Sequence, residues 1–308
     1  MRILVLGRTG YLGAHVAGRL AALPGARVLG GGRNPGAEVP VDLASDSADR
    51  LAGVLASVAP DAVVNCAGAV GGDPVTLAEV NARGPAVLCA ALSRACPSAR
   101  LVHLGSAAEY GPGAPGVRTT ESAATSPVTV YGATKLAGTV AVTASGLDAV
   151  VLRVGNPVGA GASAAGLPGR VTALLREAGP GPGAVLRLGD LSAYRDFVDA
   201  RDVARAAERA VTAPGPLPDV LNIGGGDAVP VRRLVRLLAD TAGFRGRIEE
   251  QGAGSARSGQ VSWQCSDITA AAKHLDWRPS HSLDESLADL WSAGARPPSP
   301  PPESDRTP

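Results

Sequence analysis

The chain has 308 residues, 45% of them hydrophobic, and a formal net charge of +1. That length buries a large core as one domain or two closely joined ones, and the near-zero charge excludes a global pull toward nucleic acid or an anionic membrane. No apolar run reaches the roughly 18 residues that span a bilayer, and MRILVLGRTG leads directly into a glycine turn where a secretory leader would need a longer apolar stretch, so a soluble cytoplasmic protein is expected.

In chain order, Arg2–Leu6 reads as a strand, Tyr11–Ala22 as a helix and Arg27–Leu29 as a second strand. Ala48–Val58 is expected to be helical and Ala62–Asn65 a strand, followed by a helix at Leu77–Cys96 and a strand at Arg100–Leu104. A helix at Tyr131–Ser145 and a strand at Ala149–Arg153 complete the series. The alternation predicts an α/β fold, a doubly wound parallel sheet with helices on both faces. Beyond Arg153 the rhythm changes, because Gly155–Gly169 and Gly179–Ala184 are rich in glycine and proline. Helices are expected at Val203–Val211, Val231–Ala242 and Leu283–Trp291, with a strand at Val220–Ile223. The segment RPPSPPPESDRTP, residues 296–308, reads as a disordered tail. Cys66, Cys89, Cys96 and Cys265 form no CxxC pair and have no histidine at ligand spacing. They read as small buried hydrophobes, with no metal site.

ILVLGRTGYLG places Gly7, Gly10 and Gly13 between an apolar strand and the start of a helix. That order lets backbone N–H groups approach a pyrophosphate at the helix N-terminus. Gly7, Arg8, Thr9, Gly10, Tyr11, Leu12 and Gly13 are therefore expected to contact a dinucleotide. In a unit that binds NAD, an acid roughly 20 residues past the turn takes the adenosine ribose hydroxyls. Here that place holds Arg33, beside Asn34, in the stretch VLGGGRNPG. An arginine cannot accept those hydrogen bonds but can grip a 2′-phosphate, and Arg8 can reach the same side. NADP(H) is favoured, with NAD(H) as the alternative.

VYGATKLAG holds Tyr131 and Lys135 at i, i+4 near a helix start, so both lie on one face. A nearby ammonium lowers the pKa of a tyrosine and makes it a usable acid/base for a carbonyl. VHLGSAAEYG places Ser106 just past a strand, where its hydroxyl could bond the same oxygen. His103 alternates within that strand and reads as a packed residue.

With GRTGYLG, NCAG, VNARG, GSAAEYG and YGATK in order, the chain resembles the extended short-chain dehydrogenase/reductase family, which includes nucleotide-sugar epimerases and dehydratases. LRVGNPVGAG and YRDFVDARDVARA extend the likeness, and VLNIGGG and the segment 256–291 carry it to about residue 292. The resemblance implies that Ser106, Tyr131 and Lys135 are catalytic, and that Lys135 also touches the nicotinamide ribose. It implies that Asp42 and Leu43 lie by the adenine, and that Ala67, Gly68 and Asn81 line the cofactor cleft. Asn156, Arg195 and Arg257 would hold a sugar-nucleotide diphosphate, with Ser106 also touching the sugar. It further implies a cofactor domain over residues 1–155 with a returning segment near 195–213, and a substrate lobe over 156–194 and 214–292. The alanine-rich helices 77–96 and 131–145 would form a homodimer interface. Two departures stand out: Gln260 where the family has an acid, and Gly138 and Thr139 where a glutamate usually follows YGxxK.

The dehydratases of the family carry an acid directly after the catalytic serine or threonine, and here Ala107 and Ala108 stand there. Glu109 comes one place later and is expected to point elsewhere. GSAAEYG also lacks the cysteine of the GDP-fucose type of epimerase-reductase. What remains is simple hydride chemistry, most like the GDP-4-keto-6-deoxymannose reductases and related deoxysugar 4-ketoreductases. The expected reaction is NADPH-dependent reduction of the C4 ketone of an NDP-4-keto-6-deoxyhexose. The alternatives are an NAD-dependent 4-epimerase and a non-catalytic cofactor-sensing regulator of the same fold.

Overall fold

The computed structural model describes residues 1–34, 36–252 and 261–294. Arg257, Gln260 and the proline-rich tail, each with an expectation attached above, lie outside the described residues. The first half of the chain runs β1 (Arg2–Leu6), α1 (Tyr11–Ala21), β2 (Arg27–Gly32), β3 (Val39–Pro40), α2 (Ala48–Val58) and β4 (Ala62–Asn65). It continues through α3 (Pro74–Ala78), a π-helical turn at Glu79–Arg83, α4 (Gly84–Ala95), β5 (Arg100–Ser106), a 3-10 turn at Ala107–Glu109, α5 (Val130–Thr143) and β6 (Ala149–Val154). The second half adds β7 (Asn156–Val158), α6 (Leu167–Ala178), β8 (Val185–Leu188), β9 (Tyr194–Asp199), α7 (Ala200–Thr212) and β10 (Val220–Ile223). β11 (Ala228–Pro230), α8 (Val231–Thr241), β12 (Arg247–Glu250), α9 (Thr269–Leu275) and α10 (Leu283–Ala293) follow.

Seven strands pair in the order β10-β6-β5-β4-β1-β2-β3, every pair parallel. The order reverses between β1 and β4, which makes the carboxyl ends of these two strands the switch point of a doubly wound, Rossmann-type sheet. Successive residues of β1 point to opposite faces. Ile3 and Val5 enter the core under α1 and α7 with Leu20, Val203 and Trp277. Leu4 and Leu6 enter the core under α2 and α4 with Leu51, Leu55 and Leu88. A third core, around Val171, Leu186, Leu234 and Leu287, lies among α6, α8 and α10. Beside it stand a three-stranded sheet, β11-β9-β7, and the pair β12-β8.

Three elements differ from the sequence expectation. β2 continues through Gly30, Gly31 and Gly32, because its neighbours β1 and β3 supply the pairing that glycine propensity does not. The single helix expected at 77–96 is interrupted by the π-helical turn, which ends where Pro85 in the first turn of α4 has no N–H to donate. The glycine-proline stretch after Arg153 contains α6, whose Pro168 sits in the first helical turn, where proline is tolerated.

Candidate active site

The glycine turn after β1 is built for close backbone approach. Gly7 has φ 75°, and a Cβ there would stand 2.8 Å from the Ala67 nitrogen on the neighbouring loop. A Cβ on Gly13 would overlap the Gly7 carbonyl oxygen, so the start of α1 presses onto the turn. Gly10, the N-cap of α1, makes no side-chain cap bond, which leaves first-turn N–H groups facing the turn. A pyrophosphate fits this cradle. Tyr11 and His15 fix its outer side: their rings meet edge-on at 5.7 Å, and His15 Nε2 lies 2.8 Å from the Ala160 carbonyl oxygen. Burial, then the Asp199 carboxylate, push the Tyr11 phenol well above its usual pKa of 10.

The loop after β4 forms the facing wall. Asn65 Oδ1 accepts from the Ala67 N–H at 3.1 Å. Asn81, 1% exposed, accepts from the Ala69 N–H at 2.9 Å and donates to the Ala69 carbonyl at 2.8 Å. Asn81 therefore clamps the segment that contains Ala67 and Gly68. At the far edge, Asp42 accepts from Ala44 N–H and Ser45 Oγ, and Leu43 is buried against Gly84. Arg33 follows the last residue of β2 and is exposed, as is Asn34.

Ser106 ends β5 and caps the 3-10 turn, its Oγ accepting from the Ala108 N–H at 3.2 Å. α5 starts at Val130 behind the cap Thr129, which accepts from the Gly132 N–H. A Cβ on Gly132 would stand 2.5 Å from the Ala108 carbonyl oxygen. That glycine lets the first turn of α5, with Tyr131, close onto the Ser106 turn. One turn further, Lys135 is buried and donates from Nζ to the Leu104 carbonyl at 2.6 Å. Burial lowers its pKa from 10.5 to about 8, against the opposing pull of the Glu109 carboxylate. Gly138 meets the π-helical turn at Asn81, and Thr139 is buried on the sheet side. There is no room on that face for the glutamate usual after YGxxK without rearrangement.

Glu109 turns inward. It is fully buried, accepts from the Ser106 N–H at 2.7 Å and receives Arg153 Nε at 2.7 Å. Arg153 lies over the Tyr110 ring at 4.5 Å, and Tyr110 donates to Asn222 Oδ1 at 2.8 Å. Ala107 and Ala108 supply no proton-transferring group beside Ser106. His103 sits beneath this cluster with Nδ1 3.2 Å from Asn65 Nδ2. Burial, then the Lys135 charge, hold it well below its usual pKa of 6.5. Cys66, in the loop after β4, is pushed up to about 12 by burial, which keeps it a thiol.

Across the mouth of the sheet, Asn156 at the start of β7 donates to the Asp196 carbonyl at 3.1 Å and to Gln264 Oε1 at 2.7 Å. Arg195 on β9 is buried, with Nη1 donating to the Tyr194 carbonyl at 2.8 Å, and desolvation lowers its pKa. No motif marks Gln264, which meets Asn156 only through the fold.

A family model described as the NAD dependent epimerase/dehydratase family matches residues 3–224. A dTDP-6-deoxy-L-talose 4-dehydrogenase (NAD(P)(+)) from Kitasatospora kifunensis is 38% identical over 304 residues, covering 95% of both chains. A UDP-glucose 4-epimerase from Yersinia pestis is 28% identical, covering 94% of this chain and 96% of its own. The solved structure of RMD from Pseudomonas aeruginosa complexed with NADPH superposes with a TM-score of 0.81 at 25% identity, covering 95% of this chain and 98% of the other. With the doubly wound sheet and the glycine turn in place, and the first turn of α5 closed onto the Ser106 turn, the chain belongs to the NAD-dependent epimerase/dehydratase family, in the extended branch of the short-chain dehydrogenases/reductases.

Proposed function

We propose that this enzyme reduces the C4 ketone of an NDP-4-keto-6-deoxyhexose, with NADPH as the favoured reductant. The observation that carries the reading is the surround of Ser106: two alanines follow it, and the nearest acid, Glu109, is turned away into an ion pair with Arg153. A dehydration would need an acid or base at that place, and hydride exchange needs none beyond Ser, Tyr and Lys. The 38% relative is named as a 4-dehydrogenase of a dTDP-6-deoxy sugar, and a 4-dehydrogenase run backwards is a 4-ketoreductase.

The cofactor, when bound, supplies the hydride. Gly7 to Gly13 and the α1 N-terminus would hold its pyrophosphate, Ala67, Gly68 and Asn81 would line its cleft, and Asp42 and Leu43 would lie by the adenine. Ser106 Oγ already accepts the Ala108 N–H, so its own hydrogen is left to donate to the sugar's 4-oxygen. Tyr131 delivers its phenolic proton to that oxygen as negative charge develops there. The Lys135 ammonium, fixed by the Leu104 carbonyl, stabilises the resulting tyrosinate. Asn156, Arg195 and Arg257 would hold the diphosphate, Asn156 already being oriented by Gln264.

The preference for NADP(H) rests on Arg8 in the glycine turn and on Arg33 just past the end of β2, where a ribose-binding acid would otherwise stand. The seven-stranded sheet would serve as the cofactor domain, with residues 195–213 returning to it, and the smaller sheets as the substrate lobe. A cytoplasmic homodimer completes the reading, supported by exposed Val75, Val130 and Val140 around α3 and α5.

The test is a turnover panel with dTDP-, GDP- and UDP-linked 4-keto-6-deoxyhexoses, run with NADPH and NADH in parallel. Substrate-dependent loss of reduced-nicotinamide absorbance is expected with at least one of them. Tyr131→Phe should abolish it while leaving cofactor binding in place, and Arg33→Asp should lower the NADPH preference. No oxidation with any of the three would overturn the reading. The likeness to a UDP-glucose 4-epimerase supports a second reading, which predicts stoichiometric NAD retained through purification and no net turnover.

A further inference from the structure

The three glycines of VLGGGRNPG occupy different environments. A Cβ on Gly31 would stand 2.5 Å from Leu6 Cδ2, inside the core. On Gly30 it would stand 2.6 Å from Arg8 Cδ, so glycine at 30 is what allows the Arg8 side chain to lie across β2. Gly32, the last residue of the strand, has open space where a side chain would project. No acid stands there.

An acid arrives by another route. β3 pairs Val39 with Gly31, and this register sets Glu38 beside Gly30. The Glu38 carboxylate accepts the Gly30 N–H at 3.1 Å and lies 3.9 Å from Arg8 Nη1, with both side chains about half exposed. Arg8 is thus held loosely by a carboxylate at the edge of the glycine turn, beside the open space at Gly32.

We propose that Glu38 is a specificity-determining residue for the cofactor, the acceptor of the adenosine ribose hydroxyls in place of the acid that Arg33 replaces past the end of β2, and that it sets the balance between NADH and NADPH. The proposal rests on the nucleotide site described above. With NADH, Glu38 accepts from the ribose hydroxyls and keeps Arg8 as its neighbour. With NADPH, the 2′-phosphate takes Arg8 from Glu38 and pairs with it in a charge-assisted fork, while Glu38 opposes the added negative charge. The site therefore admits both cofactors, and Glu38 restrains the one that carries the phosphate.

Dissociation constants for NADPH and NADH, measured by nicotinamide fluorescence without any sugar nucleotide, test this directly. Glu38→Gln removes the charge yet keeps an oxygen for the Gly30 N–H. It should tighten NADPH about tenfold and weaken NADH by a few-fold. Arg8→Gln should weaken NADPH by about tenfold or more and leave NADH within a factor of about two. A ratio of the two constants unchanged in Glu38→Gln overturns the role of Glu38, while wild-type binding still upholds the nucleotide site. Failure of the wild-type protein to bind either cofactor overturns both. Thermal midpoints of the unliganded variants, expected to match the wild type, separate a charge effect from a folding defect.

Discussion

Lys135 holds its ammonium inside the protein, with the Leu104 carbonyl as its acceptor and Glu109 contributing from behind the serine. Burial lowers its pKa from 10.5 to about 8, so the folded state resists the charge more than the unfolded chain does. A lysine whose folded value is depressed destabilises the fold while charged, and the penalty falls as pH rises from about 8 toward the unfolded value. Wild type should therefore gain on Lys135→Met between pH 7 and pH 9, by about 1 kcal/mol, read from thermal midpoints of the cofactor-free proteins. A gap independent of pH would mean that the amine stays charged in the fold across that range, as it does in the unfolded chain. The same substitution should end turnover, because the tyrosinate loses its counter-charge. At this scale Ser106, Tyr131 and Lys135 were legible in the sequence because each belongs to a short motif on one element. Glu109 was legible only as an acid turned away from Ser106, and its pairing with Arg153 was not, since that contact joins residues 44 apart. Glu38 was hidden for a related reason: only the register of β3 brings it to the tip of β2.

Among the elements, α7 connects the two halves of the molecule. Its cap Asp199 accepts from Arg201 and from Ser286 Oγ on α10. In its first turn, fully buried Asp202 accepts from Ser280 N–H at 2.9 Å, Ser280 Oγ at 2.7 Å, His281 N–H at 3.0 Å and Arg205 at 2.8 Å. The Asp202 carbonyl also receives the buried Trp277 indole at 2.9 Å. Desolvation raises the Asp202 pKa, but these donors outweigh it and hold the carboxyl below 3.8. A depressed carboxyl contributes stability above its unfolded pKa and loses it as pH falls through the folded value. Asp202→Asn should cost about 2–4 kcal/mol at pH 7 in denaturant unfolding, and its difference from wild type should shrink below about pH 4. A constant difference down to pH 3 would place the effect outside the carboxylate. Such buried charge also explains which elements the sequence concealed. β1, β4 and β6 are covered on both faces and read as apolar runs. β9, YRDFVD, carries Arg195, Asp196 and Asp199 inward and looks like a surface loop until its partners are known.

At the scale of the whole molecule, α5 presents two surfaces with different tasks. Lys135, Thr139 and Val142 face the sheet and are buried, while Ala133, Ala137 and Val140 face outward. Val140 is 55% exposed, and Val75 on the adjoining α3 is 68% exposed. Apolar side chains clustered on one outer face mark an association surface, and alanines beside them allow helices to approach closely. The proposed homodimer would cover this face. Because Lys135 lies on the opposite side of α5, association would stiffen the helix that carries the proposed catalytic pair without closing the cleft. Wild type should scatter light with about twice the 30.7 kDa chain mass at micromolar concentration. Ala137→Glu with Val140→Glu should reduce that to the single-chain mass, because two carboxylates would be desolvated against a copy of themselves. NADPH should still bind the dissociated chain, since every group assigned to the cofactor belongs to one subunit. A wild-type protein of single-chain mass at those concentrations would leave the valines without a partner and overturn the homodimer.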